Sequence, residues 1–500
     1  MKPNLVEFGD FVPDRALLGA PGSTEALNVI PDEDGFRPVQ DFAALSDAAD
    51  SRLQGATASR NKAGDAYIYA GNASKLYSLV GNILTDVSIA AGYNGALDTN
   101  WKFAKFGETI LATNLADPLQ SITFGGTNFA NALTSTLTPK ARHIAIVSDF
   151  VVLGNTSDAV DGAKPGRVWW LAQNSAVDAD PSASTLCDFN DIADGGDVQG
   201  IVGGEYGTIF QETQVSRMTL VGPPLIFQFD ALERVSGCPI PNSIVARGRR
   251  TYYYSHEGFM FFDGVTATPI GNARVDRWFA DQFSQVNNSH VSSAIDPVNK
   301  LAIWAFAGTG ASGSDPNRLL MYHWPSNKWG YAEINLELIF QALNQGYTLD
   351  SLDSVGTDID DAALFPFSLD SRAWTGIGIV LGAFDTSNKY GTLSGSNLAA
   401  TLETNESQPF AQQRSKVTEH RPLVSNGESA VTGTITGAIA SRETTLAASS
   451  FGTAVDINAN GAVTQESTGR YHRFRTTIPA GAAWDRAQGV AFLAAGAGNN

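Results

Sequence analysis

The chain has 500 residues, with 33 Lys and Arg against 51 Asp and Glu and a formal net charge of −18. That length exceeds one ordinary hydrophobic core, so two or more domains are expected, and 17 % charged with 43 % hydrophobic residues excludes a disordered chain or a coiled coil. The acidic balance lacks the basic footprint of a protein that grips nucleic acid by its phosphates.

Residues 1–59 are rich in Pro and Gly and hold isolated apolar residues. They are expected to form an extended arm that adds a strand to the main body or reaches a neighbouring subunit. The opening residues lack the apolar run of a secretory signal. Residues 42–53 have the spacing of one or two helical turns.

From residue 60 to 402 the pattern is β. Short runs of β-branched and aromatic residues, such as Tyr67-Ile68-Tyr69, Phe150-Val151-Val152-Leu153 and Tyr252-Tyr253-Tyr254, are separated by Gly, Asn, Asp and Pro. Aligned on a bulky strand followed by a tight turn, the segments repeat. Leu76, Ile122, Trp169, Met218, Phe261, Met321 and Leu393 serve as anchors, at steps of 46, 47, 49, 43, 60 and 72 residues. Most units also carry an earlier hairpin. The turns lie at Gly107, at Ser148-Asp149, at Gly248 and at Asp296-Pro297-Val298-Asn299. Four short strands per unit and a period near 45 predict an all-β chain whose main domain is a β-propeller of about seven blades. Stacked radially, such sheets cover each other's faces, which none can do alone. A sandwich array is the competing architecture. The longer steps are assigned to insertions at 308–316 and 336–367, where the acidic stretch 350–361 reads as a solvated loop. Residues 276–285, with Trp278 and Phe279, are the main helical candidate.

Residues 403–500 differ in charge. Residues 401–500 hold eight Lys/Arg and eight Asp/Glu, so the acid surplus lies before residue 401. Residues 431–437 and 471–478 alternate at period two, which predicts a separate small β-sandwich.

Chemistry is sparse. Asp149, Asp263 and Asp296 stand beside turn formers and are read as turn residues. None of the six His lies in a hydrolase or zinc-protease context. Ser255-His256-Glu257-Gly258 reads as a hairpin turn, not a triad. Residues 191–197 and 358–361 are oxygen-rich but lack EF-hand spacing. Gly200 to Gly207 has neither the Lys-Ser/Thr nor the helix of a phosphate loop. Cys187 and Cys238 have no CxxC spacing. No catalytic, cofactor or metal residues are therefore assigned, and the chain is expected not to be an enzyme. No stretch reaches the roughly 18 apolar residues of a membrane helix. Two basic pieces remain. Arg247-Gly248-Arg249-Arg250 sits at a predicted turn. Alternation places Tyr471, Arg473 and Arg475 on one strand face and His472, Phe474 and Thr476 on the other. The first three are the candidate partner interface, with an ordinary solvent face as the alternative.

Four stretches together resemble the tail nozzle or hub proteins of short-tailed bacteriophages, also described as packaged-DNA stabilisation or head-completion proteins. The first is Ala26-Leu27-Asn28-Val29-Ile30-Pro31 with Gly35-Phe36-Arg37-Pro38. The second is Phe262-Asp263-Gly264, Ile270-Gly271 and Val275-Asp276-Arg277-Trp278-Phe279. Residues 391–403 and 470–488 are the third and fourth. The resemblance implies a virion structural protein that is assembled in the host cytoplasm as a ring of six copies. That ring would lie below the portal and adaptor, continue the DNA channel without sequence-specific binding, and dock a distal tail needle or fibre. Part of the acid surplus would face the lumen and repel phosphates. From a different class, a propeller that binds or hydrolyses host-surface glycans would need a pocket lined by Trp and Tyr with convergent carboxylates.

Overall fold

The computed structural model describes residues 4–16, 18, 22–96, 99–343, 378–411 and 413–498. The all-β expectation holds. Among the described residues the α-helix Asp276–Gln282, within the stretch expected to be helical, is accompanied only by the short 3-10 turns Pro241–Ser243 and Gln285–His290.

Seven antiparallel four-stranded units follow one another along the chain. Sheet 1 comprises Gly55–Arg60, Ala66–Gly71, Leu76–Val80 and Ile83–Asp86. Sheets 2 to 6 open with Lys102–Phe106, Lys140–Val147, Val198–Val202, Val245–Arg247 and Ser292–Asp296. Sheet 7 comprises Leu336–Leu343, Ile379–Asp385 and Lys389–Asn397, with Gln40–Ala48 as its fourth strand. Each of the seven repeat anchors lies on the third strand of its sheet.

Both faces of these sheets are covered, which is why their strands read as continuous apolar runs. Trp169 and Trp170 show the consequence. Trp169 points into a cluster with Leu111 and Leu153, between sheets 2 and 3. Trp170 points the other way, into a cluster with Ile209 and Met218, between sheets 3 and 4. Phe210 and Tyr253 pack between sheets 4 and 5, and Tyr69 and Ile110 between sheets 1 and 2. Leu301 and Leu381 pack between sheets 6 and 7, while Phe384 and Tyr390 of sheet 7 meet Ile68 and Tyr77 of sheet 1. The first strands are neighbours in the same order, with Pro241–Ser243 interposed between sheets 4 and 5, and Leu336–Leu343 lies beside Gly55–Arg60.

Two expectations are corrected. Residues 42–53 are not helical, because Gln40–Ala48 pairs with Lys389–Asn397 as the outer strand of sheet 7. Gly391 has no side chain where a Cβ would strike the Ala43 carbonyl and the Phe42 ring, so the strands can close up. Nor is 336–367 simply an insertion, since Leu336–Leu343 is the first strand of sheet 7. The acidic stretch 350–361 lies outside the described residues.

The sandwich is stitched to sheet 6. Ala26–Leu27 runs parallel to Lys328–Glu333 on one side and antiparallel to Ala400–Glu403 on the other. Tyr471–Ile478, Thr436–Arg442 and Val455–Asp456 continue the sheet to nine strands. The facing sheet takes Val29–Asp32 and Gly35–Pro38 from the N-terminal stretch beside Arg486–Gly496, Ser415–Ser425 and Ser467–Gly469. Asn4–Glu7 also pairs with Arg486–Gly496. Phe474 and Phe492, ring centroids 4.8 Å apart, bridge the two layers. Their core is continuous with Phe11, Phe259, Trp304 and Trp329.

Candidate functional site: a cationic pocket between the first strands

The residues that suggested chemistry are largely committed to structure. The Oδ1 of Asp263 accepts the amides of Val265 and Thr266 at 2.8 and 2.9 Å. That of Asp296 accepts Val298 and Asn299 at 2.9 and 3.1 Å. Both are the turn residues expected. Ser255 Oγ accepts the Glu257 amide, and His256 is exposed, so no triad forms there. Within 191–197, Asp191 is paired with Arg167 at 2.6 Å. Among the described residues no three His, Cys, Asp or Glu converge on a metal position. Gly203 lies where a Cβ would strike the Ile146 carbonyl, and the Gly204 amide donates to that carbonyl at 2.9 Å. The glycines therefore serve close packing of sheet 4 against sheet 3.

Tyr471, Arg473 and Arg475 do share one face of Tyr471–Ile478, opposite buried His472, Phe474 and Thr476. The two guanidiniums converge on Glu403. Arg473 Nη2 donates to Oε2 and Arg475 Nε to Oε1, each at 2.7 Å. Both guanidiniums lie over Phe451. The Glu403 side chain is only 5 % exposed, and Thr24 Oγ1 also donates to it. Burial pushes the neighbouring Glu25 carboxyl upward, and the Glu403 charge adds to that. This group lies where Ala26–Leu27 and Ala400–Glu403 join sheet 6 to the sandwich. Arg247 lies over Trp324, and Arg249 makes a 3.4 Å surface pair with Glu205.

A different cluster forms where the first strands approach one another. A void of about 200 Å³ is lined by Gln54 to Thr57, Trp101 to Phe103, Asn242, Ser289 to Ser293 and Leu338 to Phe340. A side chamber of about 40 Å³ shares Asn100 with it and adds Arg142, His143, Pro241 and Asn288. Lys102 lines both. It is the first residue of its strand, next to Trp101, whose indole donates to the Asn72 carbonyl at 2.8 Å and so anchors the strand's start. Lys102 Nζ reaches across to the neutral amide oxygen of Asn242 at 2.8 Å. Asn242 is held in turn, its Nδ2 donating to the Ser289 carbonyl and its own carbonyl accepting Ser293 Oγ.

Burial, and then the nearby Arg142 charge, push the Lys102 ammonium down to about 8. Buried His143 is held well below its ordinary value by burial, then by Lys102 and Arg142. It is therefore neutral, and its Nε2 has no hydrogen-bond partner. Asn288 Oδ1 is likewise buried without a partner. Among the described residues, neither Lys102 nor Arg142 is paired with a carboxylate. Elsewhere on the void, Arg52 and His290 both approach Asp315, and Arg52 also neighbours Glu337, whose carboxyl is pushed by burial up to about 7.

Lys102, Arg142 and His143 carried no signal as a motif. Lys102 and Arg142 stand near the starts of first strands one repeat apart, and only superposition of the units would have paired them.

A third feature is a cleft of about 1060 Å³ between sheets 6 and 7 and the sandwich. Leu301, Met321, Leu381, Leu393 and Trp484 line it. Among the described residues its carboxylates Asp296 and Asp485 are engaged, Asp296 in its turn and Asp485 with Ser425.

No protein-family model and no curated protein sequence matches the chain. Among solved structures, the computationally designed Ika8 protein is similar over 70 % of this chain and 98 % of its own, at 8 % identity and a TM-score of 0.36. At that score the likeness bears on neither fold nor function. Among the described residues no helix is long and apolar enough to cross a membrane.

Proposed function

We propose that the seven sheets are the blades of a β-propeller, and that the chain is a non-enzymatic structural protein of a short-tailed bacteriophage tail. In this reading it is a nozzle or hub, assembled as a ring of six copies beneath the portal and adaptor. It passes DNA without gripping it and docks the distal tail component. The order of sheet contacts, with sheet 7 packed on sheet 1, supports the propeller.

One observation supports the role above the others. The four stretches that carry the family resemblance lie far apart in sequence, yet all contribute to a single core. Ala26, Val29 and Phe36 come from the first, and Phe259, Val275 and Phe279 from the second or its flank. Ala400 and Leu402 come from the third, and Phe474, Ile478, Trp484 and Ala487 from the fourth. This core welds sheets 5 and 6 to the sandwich. A tail component that must transmit force between a ring and its neighbours needs such a joint more than it needs a flexible linker.

Mass photometry and electron microscopy of the purified chain, with mass spectrometry of purified particles, test the reading. Rings of the chain, or its presence in tails beside portal and adaptor proteins, are expected. Isolated monomers at every concentration, together with absence from particles, would overturn it.

A further inference from the structure

A cation taken from water into a protein interior is costly unless a counter-charge or several acceptors replace the solvent. Lys102 has one neutral acceptor, Asn242 Oδ1. Arg142 adds a second positive charge close enough to depress the first. The opposite arrangement would be the natural one here, since the chain carries 18 more acids than bases. Yet among the described residues no carboxylate is paired with either cation. Two cations brought together in a void form an incomplete site, which an anion would complete.

The polar groups around the cations fit the same ligand. Neutral His143 is bonded to the Val198 backbone through its other ring nitrogen, so its unpartnered Nε2 is an acceptor that suits an anion still carrying a proton, and Asn288, whose Oδ1 is buried without a partner, presents a donor once its amide is turned over. Asn100 lines the same chamber. The double positive charge, the amide donors and the imidazole acceptor match a compact oxyanion that keeps a proton, such as hydrogen phosphate. The void and its side chamber together leave room for such a group with a small substituent but none for a duplex.

We propose that Lys102, Arg142 and His143, with the amides of Asn100, Asn242 and Asn288, form a binding site for a small oxyanion of the phosphate class. The ligand is free phosphate or the phosphoryl group of a small ester. The anion supplies the counter-charge the fold omits and ties sheets 2 and 3 to the Pro241–Ser243 and Gln285–His290 turns. This inference uses only the pocket and stands or falls independently of any role in a tail.

Calorimetric titration and thermal unfolding of the full chain with inorganic phosphate, with glycerol 3-phosphate, and with sodium chloride at matched ionic strength provide the test. Saturable binding of a phosphate ligand is expected, with a rise in Tm that chloride does not reproduce. Lys102→Met and, separately, Arg142→Gln should each weaken binding at least about tenfold, the loss of one charge-assisted contact. Arg249→Gln, remote and exposed, should leave it unchanged. Tighter binding of glycerol 3-phosphate than of phosphate supports the site and assigns it to a phosphoryl ester; the reverse supports it and assigns it to the free anion. A wild-type response no larger than that to chloride overturns the proposal, and this arm needs no variant to fold. Equal binding by wild type and both pocket variants also overturns it.

Discussion

Arg473 and Arg475 share the buried carboxylate of Glu403, whereas Lys102 and Arg142 share a pocket with no carboxylate partner among the described residues. The first pair was conspicuous in sequence because period-two alternation set its members on one face. The fold pairs it from within: Glu403, on the next strand, neutralises one of the two charges, while the Arg475 side chain stays 42 % exposed. The second pair was invisible in sequence and is the one the fold leaves electrostatically open. The difference teaches that a row of cations on a strand measures geometry, while availability depends on what the neighbouring strand brings opposite.

The comparison breaks most readily at Glu403. Glu403→Gln leaves Arg473, whose side chain is 14 % exposed, without its counter-charge. Removing one partner of a buried pair should destabilise the fold by about 3 kcal/mol, read by urea denaturation. An unchanged midpoint would show that the compensation attributed to Glu403 is not there.

Arg167 extends the compensated class. Its side chain is 3 % exposed and reaches Asp158, Asp161 and Asp191 at 3.4, 2.7 and 2.6 Å. Arg167→Leu should cost about 2 kcal/mol, discounted because Asp161 and Asp191 are partly solvated. At low salt the loss should grow, as three carboxylates are left facing one another.

Lys102 should behave in the opposite sense. In phosphate-free buffer Lys102→Met should unfold no more easily than wild type, because it removes an uncompensated cation while keeping much of the stem's packing. The pH dependence follows. The lysine titrates near 10.5 when unfolded and about 8 in the fold, so between those values the unfolded chain holds the extra proton. Stability contributed at this site therefore rises with pH across that window. The groups facing it are Arg142, His143, Cys238 and Asn242, with Arg52 and His290 farther along the void and Asp315 and Glu337 beside Arg52. The wild-type midpoint, compared with that of Lys102→Met, should climb from pH 7 to pH 10. A flat difference would mean that the ammonium is not held down by its surroundings.

The smallest effect is expected at Arg249. It and Glu205 are 72 % and 84 % exposed, so Arg249→Ala should change stability by less than about 0.5 kcal/mol. A larger change would mean that exposed pairs, too, shape this molecule's charge balance.

Much of the fold was legible because both faces of each sheet are buried. That burial forces bulky apolar residues onto the third strands, where all seven anchors lie, and turn residues onto the hairpins between. The stretch at Gln40–Ala48 was misread because its partner strand is some 350 residues away, and helical spacing within a short window carries no information about that partner. The weaving of Asn4–Glu7, Ala26–Leu27, Val29–Asp32 and Gly35–Pro38 into the sandwich was equally hidden, since strand pairing is a long-range choice.

By itself, the sequence determined the β character, the repeat, the turn roles of Asp263 and Asp296, and the shared face of Tyr471, Arg473 and Arg475. These follow from local sterics, period-two geometry and turn chemistry, which act within a few residues. Tertiary structure alone decided that Glu403 would pair with the arginine row and that Lys102 and Arg142 would meet with no counter-charge among the described residues. Coulomb forces act through space, and their sign at a site is set by residues the chain brings together only when folded.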